Sequence, residues 1–161
     1  MERIGGAIVK RQQNIGSVSS GTMRPEDLIP SFLWELKHQK PCHRAHLALI
    51  RGIEASIEKG IGTDEEYFSS EQADEDLSSL FDALQDYAPS YFTFGAHPSD
   101  GADYGYWLSE SFEEDFDGLK VSDTSEVPKG YTGEVLHVND HGNITLYAYS
   151  RGRGREVWGI V

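Results

Sequence analysis

Between residues 60 and 119 this chain carries sixteen acidic side chains and neither lysine nor arginine. The acids are Asp64, Glu65, Glu66, Glu71, Asp74, Glu75, Asp76, Asp82, Asp86, Asp100, Asp103, Glu110, Glu113, Glu114, Asp115 and Asp117. Residues 1–59 hold nine basic and six acidic side chains, and residues 120–161 hold five of each. The sums, +3, −16 and 0, make up the formal −13 of the whole chain. A long block of one charge without apolar side chains stays unfolded. Here it also contains Tyr67, Phe68, Phe81, Tyr87, Tyr91, Phe92, Phe94, Tyr104, Tyr106, Trp107, Phe112 and Phe116. Each such ring buries about 150–250 Å². The segment is therefore expected to fold, with aromatics inside and an acid-coated surface outside.

A chain of 161 residues has room for one domain with a real core. Cys42 is the single cysteine, which precludes an intramolecular disulfide and a cysteine-based metal site. No apolar run reaches the roughly 20 residues of a membrane span, and the N-terminus lacks a signal-peptide core. The expected setting is cytoplasmic. So negative a charge opposes nucleic acid and anionic membranes and favours a basic partner.

Along the chain, residues 1–22 are rich in Gly, Ser and Gln and read as a flexible leader, with Ala7-Ile8-Val9 as a candidate edge strand. A single α+β domain is expected over 23–161, helical over 23–88 and mainly β over 90–161. Thr22, Pro25, Glu26 and Asp27 are start signals for a first helix, whose apolar face is Leu28, Ile29, Phe32, Leu33 and Leu36. Pro30 is expected to break it. A second helix at about 43–58 offers Leu47, Ile50, Ile53 (or Leu49) and Ile57. A third, about 70–88, has Ser69 and Gln72 in capping-box spacing. Its face is Ala73, Leu77, Leu80, Phe81, Leu84 and Ala88, with Glu71, Glu75, Asp82 and Asp86 opposite.

The pattern then turns to strands. Tyr91–Phe94 and Tyr104–Leu108 flank a turn, and Glu134–Val138 and Ile144–Tyr149 flank the hairpin signal Asn139-Asp140-His141-Gly142-Asn143. Ser150–Arg155 reads as a solvated turn before a last strand, Glu156–Val161. Helices followed by strands predict α+β, with three N-terminal helices packed on a four- to five-stranded antiparallel sheet.

Three sets of residues bear on chemistry. His97, Asp100, Asp103, His137, Asp140 and His141 are ligand types for a metal-assisted hydrolase, yet their spacing matches no zinc motif, and Asp-Gly and Asn-Asp-His-Gly are ordinary turn sequences. Cys42 and Ser109 lack the surroundings of a nucleophile. Arg151-Gly152-Arg153-Gly154-Arg155 has the composition of an RNA-contacting element, but three arginines stand against a charge of −13. No catalytic residue, metal or cofactor is assigned.

The acids carry more weight. A surface tuned only for solubility mixes both signs, because a one-sign field repels itself. Carboxylates spaced along a rigid helix can stand in for a row of phosphates. The candidate partner-binding residues are Glu71, Asp74, Glu75, Asp76, Asp82, Asp86, Glu113, Glu114 and Asp115. Their expected partner is a basic host protein or nucleic-acid-binding complex, without direct contact to nucleic acid or membrane.

Residues 91–107 (YFTFGAHPSDGADYGYW) and 137–147 (HVNDHGNITLY) resemble small acidic proteins of phages and prophages whose activities are uncharacterised. The resemblance covers about 90–161 and brings no catalytic residue with it. It implies a setting in which small acidic proteins block host machinery, as anti-CRISPR and other counter-defence inhibitors do. A phage structural or assembly module using the aromatic strands is the alternative of a different class.

Overall fold

The computed structural model describes residues 2–4, 7–9, 14–59 and 64–160. The chain divides into two compact units, Asn14–Leu108 and Ser109–Val161 with Met1–Gln13. Near the N-terminus β1 (Glu2–Ile4) and β2 (Ala7–Val9) pair as a short hairpin, Glu2 opposite Val9. Part of the expected leader, residues 1, 5, 6 and 10–13, lies outside the described residues. Its last part is structured: Gly16–Ser19 form β3, a strand of the first unit.

That unit continues through α1 (Pro25–Lys37), α2 (Arg44–Lys59), α3 (Asp64–Phe68), α4 (Glu71–Gln85), β4 (Phe92–His97) and β5 (Asp100–Leu108). Its sheet has the order β3-β5-β4 and is antiparallel throughout. Alternation along β4 and β5 puts Phe92, Phe94, Tyr104 and Tyr106 on one buried face. From α1, Phe32 meets Phe81 of α4, Phe94 and Tyr104 edge-on, at centroid distances of 5.1, 5.2 and 5.9 Å. Gly105 sits where β3 crosses β5; a Cβ there would strike the backbone of Gly16.

Pro30 does not break α1. It removes the amide that would reach the Glu26 carbonyl, and an interior proline costs about 3 kcal/mol. Leu28, Ile29, Phe32, Leu33 and Leu36 are all buried, and each contributes about 1.5–3 kcal/mol. Burial wins. In α2 the expected stripe is only half used, with Ile50 and Ile53 buried and Leu47 40% exposed. The cap of α4 is Ser70, not Ser69: its Oγ accepts from the Ala73 amide at 3.2 Å.

The second unit contains α5 (Phe112–Asp115), β6 (Leu119–Val121), β7 (Gly133–Val138), β8 (Ile144–Ser150) and β9 (Arg153–Ile160), with sheet order β6-β7-β8-β9. The expected single antiparallel sheet under three helices is thus replaced by separate sheets of three and four strands. The second is not wholly antiparallel, because β6 runs parallel to β7. Parallel neighbours need a crossover instead of a tight turn, and the Ser/Thr/Pro/Gly connection before β7 supplies it. Trp158 is fully buried here with Val135, Leu136 and Leu146, and Phe112 lies edge-on to it at 5.7 Å. The Asn139–Asn143 hairpin forms as expected, with the Asn139 amide donating to the Asn143 carbonyl at 3.0 Å. The Arg-Gly stretch is not merely a turn. Arg153 and Arg155 are in β9, and only Arg151-Gly152 forms the tip, with φ of +51° and +81°. A left-handed conformation costs a non-glycine residue on the order of 1–2 kcal/mol.

Phe32→Ala is expected to lower stability in urea unfolding by about 3–5 kcal/mol. Leu47→Ala on the exposed side of α2 should stay within about 0.5 kcal/mol.

Candidate functional site

The acids of α4 sort by helical angle. With 100° per residue, Glu71, Asp74, Glu75, Asp82 and Asp86 fall within one third of the circumference, and all five are exposed. They span about 22 Å at a rise of about 1.5 Å per residue. Ala73, Leu80, Ala83 and Leu84 lie on the other side and are buried. Among the described residues only Asp86 of these acids has an ion-pairing neighbour, the imidazole Nε2 of His46 at 3.2 Å.

Placement along the helix axis matters too. Glu71 and Asp74 sit at the N-terminal end, where the helix dipole favours negative charge. Asp82 and Asp86 sit at the C-terminal end, where it disfavours it, and no basic residue stands in the last turn. Stability would place a lysine there.

Asp76 does not belong to this surface. It is 8% exposed, and its carboxylate accepts from the Tyr67 hydroxyl at 2.7 Å and from Gln72 Nε2 at 2.9 Å. Burial first, then the hydrogen bond and the Asp76 charge, push the Tyr67 phenol far above its ordinary range. Asp76 therefore anchors α3 to α4 and is unavailable to a partner. The angular arithmetic carries the signal, since position 76 points to the same side as Ala73 and Leu80.

Glu113, Glu114 and Asp115 are exposed on α5, in the other unit. Asp115 accepts from the Ser111 hydroxyl at 2.6 Å.

Of the His and Asp candidates, His97 ends β4, Asp100 and Asp103 lie in β5 and His137 in β7, and Asp140 and His141 sit in the β7–β8 turn. His97 Nδ1 accepts from the Ser99 amide at 3.0 Å, and its ring meets Trp107 edge-on. Asp100 accepts from the Ala102 amide, Asp103 from the Ser17 hydroxyl, and Asn139 from the amides of His141 and Asn143. His137 Nε2 donates to the Ser122 carbonyl at 3.1 Å. His97 and Asp100 belong to one unit, and His137, Asp140 and His141 to the other. Among the described residues no group of three or more His, Cys, Asp or Glu side chains is placed to hold a metal ion. Most aromatics of β4 and β5 are likewise committed, since Phe92, Phe94, Tyr104 and Tyr106 are core residues, while Trp107 is half-buried and donates its Nε1–H to the Gly95 carbonyl.

A polar network that sequence reasoning missed runs through the first unit. His46 Nδ1 lies 2.6 Å from the Tyr87 hydroxyl, which also accepts from the His43 amide at 2.9 Å. Asn14 Nδ2 donates to the Tyr87 carbonyl and to Gln39 Oε1, at 2.9 and 2.8 Å. Gln39 Nε2 reaches Glu35 and Tyr106, and the Tyr106 hydroxyl donates to Glu35 at 3.2 Å. Burial and the Glu35 carboxylate keep the Tyr106 phenol protonated. The network joins residues up to 73 positions apart, which no local pattern announces. It ties Asn14, α1 and β5 to the chain after α4, and so fixes the end of the acidic face.

Asp76→Ala is expected to destabilise the protein by about 1–3 kcal/mol in denaturant titration, because the Tyr67 hydroxyl loses its acceptor. Asp82→Asn should instead stabilise it by about 0.3–1 kcal/mol at low salt, with the gain shrinking as salt is added. Comparison of the chain with protein-family models, curated proteins and solved structures finds no match, so a role has to be read from its own chemistry.

Proposed function

We propose that this chain is a non-enzymatic interaction protein that docks the acidic face of α4 on a basic, nucleic-acid-handling protein of a host cell. It would act in the host cytoplasm as a phage or mobile-element inhibitor, anti-CRISPR-like or of another counter-defence kind, occluding a nucleic-acid channel by charge mimicry. The observation that carries this reading is the α4 surface itself. Glu71, Asp74, Glu75, Asp82 and Asp86 are exposed on one side of a rigid helix, and only Asp86 has an ion-pairing neighbour among the described residues. Asp82 and Asp86 are retained at the helix end where they cost stability.

Charge density narrows what is imitated. Five carboxylates over about 22 Å are spaced by roughly 5–6 Å along the axis. That is closer to the spacing of about 3.4 Å along one nucleic-acid strand than to the spacing of about 1.7 Å for a duplex. A channel for a single strand is the better match. Glu113, Glu114 and Asp115 form an acidic patch of the other unit and remain candidate contacts, and Asp76 is left out of the contact set.

One observation favours a second reading, an interaction module that uses an aromatic anchor. Trp34 is 61% exposed and stacks on His38 at a centroid distance of 4.0 Å. Large exposed aromatics are frequent energetic centres of interfaces.

Capture of partners from host lysate on the immobilised protein separates the two. Under the charge reading, the captured protein is basic and is released as salt rises from 0.05 to about 0.5 M. Glu75→Lys with Asp82→Lys should then cut capture by at least about tenfold, and Trp34→Ala should leave it in place. Loss on Trp34→Ala with the charge-reversed protein still binding would reverse the assignment.

A further inference from the structure

The second unit contains an open cleft of about 770 Å³ that the acidic surface does not explain. It is lined in part by Lys129 and Arg151, in a chain of net charge −13. Among the described residues neither cation is paired with a carboxylate. Thr124 and Ser125 add hydroxyls, Tyr149 an aromatic ring and Asp123 a carboxylate.

Specific contacts bring the two cations to one place. The Arg151 amide donates to Thr132 Oγ1 at 3.0 Å, and the Gly152 amide donates to the Tyr131 carbonyl at 2.9 Å. These bonds pin the β8–β9 tip to the loop that follows Lys129. The approach is close, since a Cβ on Gly152 would lie 3.0 Å from the Gly130 nitrogen. Arg151 is also the wrong residue for its backbone. At φ +51° in a two-residue hairpin turn, asparagine, aspartate or glycine is the favoured choice. A side chain kept against backbone preference points to use of that side chain.

The lining narrows the ligand. Guanidinium and ammonium groups bind phosphate oxygens, the former in a bidentate fork. Tyr149 is held in position: its ring occupies the space a Cβ on Gly154 would need, and it meets Tyr131 edge-on at 6.3 Å. A flat heteroaromatic ring can stack on such a surface. Asp123 is fixed by the Ser125 amide at 2.8 Å, which holds its carboxyl below the usual range, so it stays an acceptor for sugar hydroxyls. The volume is within the range of about 300–1,000 Å³ common for small-ligand sites. A polymer would carry further phosphates past a chain with 27 acids, whereas a small ligand meets only the local field, screened beyond about 8–10 Å.

We infer that this cleft binds a mononucleotide, with its phosphate on Arg151 and Lys129, its base against Tyr149 and its sugar hydroxyls toward Asp123. Isothermal titration of the full chain with AMP tests it, with inorganic phosphate and a short oligothymidylate as comparison ligands. AMP should bind saturably at one site and more tightly than phosphate. Arg151→Asn should weaken AMP at least about tenfold, while the Tm holds or rises, because asparagine suits the left-handed turn. Lys129→Gln should weaken AMP and phosphate alike, and Asp123→Asn AMP alone. The inference is overturned if AMP does not bind the native chain or binds Arg151→Asn unchanged. It is also overturned if phosphate binds as tightly as AMP, or if the oligonucleotide is strongly preferred.

Discussion

The contact of Phe32 with Phe81, Phe94 and Tyr104 is the constraint on which the first unit depends. It brings α1, α4 and both long strands of the sheet to one point, and it sets the rotation of α4 about its own axis. Once Ala73, Leu80 and Leu84 face inward, Glu71, Asp74, Glu75 and Asp82 have no direction left but outward. The same rotation carries Asp76 inside, where two hydrogen bonds compensate its desolvation. Hydrophobic burial thus decides which carboxylates are surface and which are structure.

Electrostatics supplies a second constraint in the opposite sense. An acidic helix face repels itself, and its C-terminal acids also oppose the helix dipole. The fold tolerates both because each costs well under what one buried aromatic contributes. That imbalance leaves charge free to serve another purpose, which is the basis of the proposed docking surface. Arg151 repeats the pattern on a smaller scale in the second unit. There a strained turn residue is tied to the loop that follows Lys129 by amide hydrogen bonds to Thr132 and Tyr131 that do not depend on the Arg151 side chain.

Much of this was legible along the chain. The apolar periodicities of α1 and α4 and the Asn139–Asn143 hairpin are local patterns that formed where their residues indicated, whereas β4 runs on to His97 and β5 starts at Asp100, inside the stretch that reads as a turn. Errors arose where a distant partner decided. Gly16–Ser19 has no amphipathic pattern of its own and becomes a strand because β5 offers an edge, with Gly105 leaving room. Leu119–Val121 is too short to announce itself and joins β7 in parallel. Leu47 matches the stripe of α2 but is left outside the core. The Asn14–Gln39–Tyr87 network joins groups that share no motif.

By itself the sequence determined that an acidic, aromatic-rich segment must fold with its rings inside, and that the chain would mix helices with strands. Both follow from side-chain chemistry and period, which are properties of neighbouring residues. Tertiary structure alone decided that the two units carry separate sheets, that Tyr67 is the partner of the inward-facing Asp76, and that Lys129 and Arg151 line one cleft. Those outcomes depend on which backbone edges and apolar faces meet across long stretches of chain, and no local pattern encodes that.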